Sequence, residues 1–130
     1  MLSFVSPCGS FTLTFEDDGR VAYAYLKQGA VVVGDVWLYN RCLAPTEPEW
    51  SDPAKIPFAN PQEFISENAR VETDVEKRDV LVDWEYEADG VVAYVYLFED
   101  LVGVLGVGDK PGYARHAVKD GPLARVMEIE

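Results

Sequence analysis

Apolar and polar positions alternate over much of this chain. Phe11, Leu13 and Phe15 alternate with Thr12 and Thr14, the two-residue period of a strand with one buried face. Val82, Trp84 and Tyr86 alternate in the same way with Asp83, Glu85 and Glu87, which would point outward. Each stretch ends in an acidic connection closed by glycine, Glu16-Asp-Asp-Gly19 and Glu87-Ala-Asp-Gly90. A type I turn followed by a left-handed residue needs glycine at that place. Return strands are predicted over 21–27 and 91–98, and third strands over 31–39 and 101–107.

Further strands are predicted around these. Val71, Thr73 and Val75 alternate with Glu72, Asp74 and Glu76, and Lys77-Arg78 would make a two-residue turn into Val80. Leu2–Val5 is the expected counterpart at the N-terminus, and the tail after Gly112 turns at Asp120-Gly-Pro122 to add one or two edge strands.

The two sets look like copies. Displacing the chain by 71 residues overlays identical pairs that include Glu16/Glu87, Asp18/Asp89, Gly19/Gly90, Tyr23/Tyr94, Tyr25/Tyr96 and Leu26/Leu97. The expected organisation is one domain over 1–130, with an internal repeat at about 11–40 and 82–108. The predicted fold is mainly β: two duplicated antiparallel β-meanders packed as a sandwich or squat barrel, with one short helix in the crossover. Either arrangement would deal with the edges a lone meander leaves exposed.

The crossover, 41–61, holds five prolines, which exclude regular structure. A helix is predicted over about 61–69. Asn60 would be its N-cap, Pro61 its first residue and Glu63 the capping-box partner, with Phe64 and Ile65 facing the core. Trp50, Ile56 and Phe58 point to an ordered loop rather than a disordered one.

Charge narrows the partners. With 11 Lys and Arg against 23 Asp and Glu, the 130-residue chain carries a formal charge of −12. Such a surface repels a phosphate backbone, so no nucleic-acid partner is expected. A basic protein, a cation or simple solubility would each account for it. The longest apolar run, 91–98, falls far short of the ~20 residues that span a bilayer, so no membrane partner is expected either. The first eight residues lack the basic start and long apolar stretch of a signal peptide, which makes the cytoplasm the expected compartment.

Catalytic signals are few. His116 is the sole histidine and has no recognisable triad partner around it. The glycines of Val102-Gly-Val-Leu-Gly-Val-Gly108 lack the lysine-serine ending of a phosphate loop and read as places for a bulge or close strand packing. No loop has the ligand spacing of a calcium site. Cys8 should precede the first meander strand and Cys42 follow the third, about seven residues or roughly 20 Å away along the sheet, so two free thiols are expected. No catalytic residue, metal or cofactor is assigned.

Carboxylates are the strongest polar signal. The hairpin predicted at Lys77-Arg78 would set Glu76 opposite Asp79 and Glu72 opposite Asp83, with Asp74, Glu85 and Glu87 on the same face. Like charges so placed are mildly destabilising, up to ~1 kcal/mol per pair. The face is therefore either a site for a basic partner or a solvated surface that discourages edge pairing. Trp50, flanked by Glu47 and Glu49, is either a binding anchor or a plug for one end of the core. Tyr23, Tyr25, Tyr94 and Tyr96 either pack internally or line an aromatic cleft between the copies.

Phe15-Glu-Asp-Asp-Gly19, Tyr23-Ala-Tyr25 and Asp35-Val-Trp-Leu-Tyr-Asn40 together resemble motifs of small acidic bacterial proteins, some of them similar to immunity proteins that neutralise toxins by direct binding. The resemblance covers about the first half of the chain and brings no catalytic residues. The expected function is a non-enzymatic binding protein that presents an acidic face to a basic protein. The alternative is a small-molecule-binding β barrel with an aromatic cleft. Exposed edges leave a homodimer open.

Overall fold

The computed structural model describes residues 1–51, 56–67, 69–88 and 90–127. Among these residues nine strands follow in order: β1 (Leu2–Val5), β2 (Phe11–Asp17), β3 (Val21–Gln28), β4 (Val31–Asn40), β5 (Val80–Glu87), β6 (Gly90–Leu97), β7 (Asp100–Gly106), β8 (Tyr113–Ala114) and β9 (Arg125–Val126). They form two sheets, β1-β2-β3-β4 and β5-β6-β7-β8-β9. All neighbours are antiparallel except the short β8–β9 pair.

The period-2 pattern sorts the side chains as expected. Leu13, Phe15, Ala22, Ala24, Leu26 and Val36 of the first sheet join Val91, Ala93, Val95 and Leu105 of the second in one buried cluster. Each large aliphatic or aromatic side chain so buried contributes roughly 1.5–3 kcal/mol. The sheets stay separate and close no barrel. Instead the β4 edge bonds to loops of the second half: Asp35 N–H donates to Asp109 O (2.9 Å), Gly108 N–H to Val33 O (2.7 Å), Gly112 N–H to Asp35 O (2.7 Å) and Trp37 N–H to Leu123 O (2.9 Å). Of the 102–108 glycines, Gly103 and Gly106 serve close packing, whereas Gly108 is open and takes a left-handed turn (φ 91°). A Cβ on Gly103 would lie 2.5 Å from Leu38 Cδ2, and the register slips nearby, between Val95 and Tyr96.

Both halves contain a three-stranded meander, but their pairing differs. Thr14 pairs with Tyr25, which the 71-residue displacement maps to Glu85 and Tyr96; Tyr96 in fact pairs with Leu81, four residues away. The first hairpin closes at Asp17/Ala22 and the second at Glu87/Gly90. Gly19 (φ 86°) holds the left-handed turn position predicted for it.

Two predicted elements are replaced. Instead of a helix over 61–69 there is one 3-10 turn, Gln62–Phe64, capped by Pro61 with no side-chain cap bond. Asn60 does not cap it, because its backbone N–H and C=O are bound to the Asn40 carboxamide at 3.0 and 2.9 Å. Ile65 bridges to Ala117 and Ser66 N–H donates to His116 O, so tail pairing holds the segment extended. The strand expected over 71–76 is absent too. Arg70 bridges in parallel to Asn40, Val71 N–H donates to Asn40 O, and the segment then enters a 3-10 turn, Lys77–Asp79, boxed by Glu76 and Asp79. Among the described residues no helix is long and apolar enough to cross a membrane.

Candidate protein-binding face

The two sheets are covered unequally. In the first, β2–β4 are buried on the core side and largely covered on the other. Thr14, Tyr23 and Trp37 lie on the side away from the shared core, yet all are buried. The crossover reaches this face: Tyr23 Oη donates to Phe58 O at 2.7 Å, and Ile56, Pro57, Phe58, Pro122 and Leu123 wall a small hollow of about 180 Å³ over Tyr23, Tyr25 and Asp35. Among the described residues the β5–β6 part of the second sheet has no such cover. β6 alternates buried Val91, Ala93, Val95 and Leu97 with half-buried Val92, Tyr94 and Tyr96.

That open face has an ordered composition. Register aligns Asp83, Tyr94, Val104, Tyr113 and Arg125 across five strands, and Leu81, Tyr96 and Leu101 across three. Asp83, Glu85 and Glu87 stand exposed along β5, and Leu81 is 58% exposed between the charges. Tyr94 Oη donates to Glu85 Oε2 at 3.4 Å. Partial burial, with Glu85 and Glu87 close by, holds the Tyr94 phenol above its ordinary range. At the opposite border the Arg125 guanidinium lies 4.2 Å from the Tyr113 ring centroid and pairs with Asp109 at 3.1 Å. A shallow groove of about 680 Å³ runs past Arg78, Asp79, Leu81, Asp83, Tyr96 and Phe98.

The groove ends on an unusual turn. Phe98 (φ 49°) and Glu99 (φ 74°) join β6 to β7, and both are left-handed. That conformation is normally taken by Asn-Gly. A non-glycine residue held there costs of order 1 kcal/mol, a burden that recurs at functional sites. Here it presents Phe98, 46% exposed, beside an additional carboxylate.

Other predicted residues are placed differently. Glu72, Asp74 and Glu76 do not join the β5 row, since each pairs with a cation: Arg70 (3.5 Å), Arg41 (3.0 Å) and Arg78 (2.9 Å). Asp83, Glu85 and Glu87 form no ion pair among the described residues. Glu47 is exposed, whereas Glu49 pairs with Arg20 at 3.3 Å. Trp50 meets Phe64 edge-on at 5.6 Å and is half-buried against the core. Tyr23 and Tyr25 stack at 6.0 Å on the outer face of the first sheet, while Tyr94 and Tyr96 lie on the outer face of the second. No single cleft between the halves collects the four.

The first acidic turn is structural. Asp18 accepts the Arg20 and Val21 N–H groups at 2.8 and 2.9 Å. Asp17 accepts from Gly19 N–H, Tyr39 Oη and Arg41. Burial alone would raise the Asp17 carboxyl, but these donors outweigh it and hold it below the ordinary carboxylate range. His116 is half-buried, and burial with Arg115 nearby lowers its pKa. Cys8 and Cys42 are free thiols, Cys8 exposed.

One sequence signal for the open face lies outside strand periodicity. Residues 79–109 contain eight Asp and Glu and no Lys, Arg or His. The meander β5–β7 is therefore built from a purely acidic stretch, whereas β2–β4 and their flanks include Arg20, Lys27 and Arg41. No family model, no curated protein and no solved structure matches this chain.

Proposed function

We propose that the protein is a non-enzymatic binding protein whose outer β5–β7 face receives a basic protein partner. The observation that carries this reading is a row of carboxylates on an open sheet face: Asp83, Glu85 and Glu87 form no ion pair among the described residues and stand beside exposed Leu81 and half-buried Tyr94 and Tyr96. Aromatic and aliphatic surface supplies the desolvated centre of an interface, and the acids supply steering and register. An immunity protein that neutralises a toxin works by such direct contact, in line with the motif resemblance. The duplicated origin of the two meanders belongs to the same proposal: one copy became covered by the crossover and the other kept its face open.

The test is capture of basic proteins from the native host at low and high salt, comparing wild type with the triple variant Asp83→Asn, Glu85→Gln, Glu87→Gln. A single basic protein retained at low salt by wild type and released by the variant, with an association rate that falls steeply with salt, supports the reading. Equal retention by both proteins would move the site elsewhere. The alternative of a small-molecule cleft has less support: the hollow at Tyr23 and Tyr25 is about 180 Å³, below the ≈ 300–1,000 Å³ of ordinary ligand pockets, and the 680 Å³ groove past Tyr96 is shallow and bordered by Arg78, Asp79 and Asp83.

A further inference from the structure

β5 is the uncovered edge of its sheet. β6 pairs with it along all eight residues, from Val80/Leu97 to Glu87/Gly90. Among the described residues no strand or loop backbone bonds to its other side. The remaining edges are treated differently: β4 is bonded to the 106–112 loop and Leu123, β9 has two residues and β1 has four. A long free edge presents alternate N–H and C=O groups to any extended chain.

The two faces of this edge differ in chemistry. Toward the core, Val82 and Trp84 are only half-buried and Tyr86 is 50% exposed, although Val82 and Trp84 pack on the core cluster. β1 runs nearby with half-buried Leu2 and Phe4. Cys8 N–H, in the turn after β1, donates to Tyr86 Oη at 2.9 Å, and Lys77 Nζ sits 5.5 Å from the Phe4 ring centroid. Apolar surface is thus left incompletely covered along the flank of β5. Toward the outside, Asp83, Glu85 and Glu87 form a row of like charge at every second residue.

We infer that β5 accepts an added strand from the basic partner proposed above, an extended segment in which apolar residues alternate with arginine or lysine. The inference rests on that reading and gives it a binding mode. Backbone bonds to the free edge supply affinity, and alternate side chains supply specificity. Basic side chains stand opposite Asp83, Glu85 and Glu87, while the apolar ones continue the Val82-Trp84-Tyr86 row toward Leu2 and Phe4. A second copy of this chain does not suit the edge, because pairing β5 with β5 sets both acidic rows on one face, where opposed like charges destabilise.

The probe is a synthetic peptide of about ten residues, a full strand length, alternating valine and arginine. Its counterpart is the same peptide N-methylated throughout, which keeps the side chains and charge but donates no backbone hydrogen bond. Binding to the full chain is titrated at low salt, and amide hydrogen exchange is followed at residues 80–87. The expected result is binding of the first peptide with slowed exchange along β5, and binding at least about tenfold weaker for the methylated one. Equal binding of both without protection of β5 overturns strand addition and leaves the basic-partner reading standing. If neither peptide binds, both fall.

Discussion

Asn40→Ala removes a side chain that makes three hydrogen bonds in the interior. Asn40 is 1% exposed at the end of β4, where its Oδ1 accepts from Trp37 Nε1 (2.8 Å) and Asn60 N–H (3.0 Å) and its Nδ2 donates to Asn60 O (2.9 Å). Alanine leaves two donors and one acceptor without partners. Each such group costs about 1–3 kcal/mol when water cannot reach it. A shallow hollow lined by Asn40, Cys42, Leu43 and Ile65 admits some water, which favours the lower half of that range. The expected loss is about 3–5 kcal/mol, a large part of the 5–15 kcal/mol available to a domain. The melting temperature should fall by roughly 10–20 °C. Urea and thermal unfolding followed by tryptophan fluorescence and circular dichroism give the number. A loss below about 1 kcal/mol would refute the reasoning, since it would mean that the crossover is not anchored through this carboxamide.

Four further changes have defined outcomes. Gly112→Ala should cost about 2–3 kcal/mol in urea unfolding, because the new Cβ would lie 2.6 Å from Val104 O and 2.8 Å from Leu105 Cβ, neither of which can swing aside. Phe98→Asn with Glu99→Gly should raise stability by about 1–2 kcal/mol by relieving two left-handed residues, and should weaken partner capture if Phe98 belongs to the face. The Asp17 carboxyl has a depressed folded pKa, so its contribution is complete above the unfolded value near 4 and is lost as pH falls through the folded one. Asp17→Asn should therefore be less stable than wild type at pH 7, and the difference should shrink on acidification below about pH 4. Cys8, lowered to about 6 by the Ser6 hydroxyl, the Ser10 backbone and Tyr86, should react with iodoacetamide at pH 7 well before Cys42; equal rates would show that these hydrogen bonds do not hold its thiolate.

Most strands and their faces were legible in the chain, because a two-residue period is a local property and needs no knowledge of partners, although the same period at Val71, Thr73 and Val75 gave no strand. It separated Val82 and Trp84, half-buried on the core side, from exposed Asp83, Glu85 and Glu87, although Tyr86 is half exposed, and the acidic stretch 79–109 marks the open meander. What remained hidden depended on residues distant in sequence. Asp74 reads as one of a row of acids until Arg41, 33 positions earlier, is found bound to it. Asn60 has the composition of a helix cap, but the buried Asn40 carboxamide claims its backbone, and desolvated groups that must be satisfied outweigh a local propensity. The tyrosine pairs match in the repeat but not in strand register, and the crossover and tail decide that Tyr23 is buried while Tyr94 is only half-buried. Local alternation thus set most of the strands and their polarity, and long-range hydrogen bonds, ion pairs and coverage decided which segments pair and which acidic face stays open.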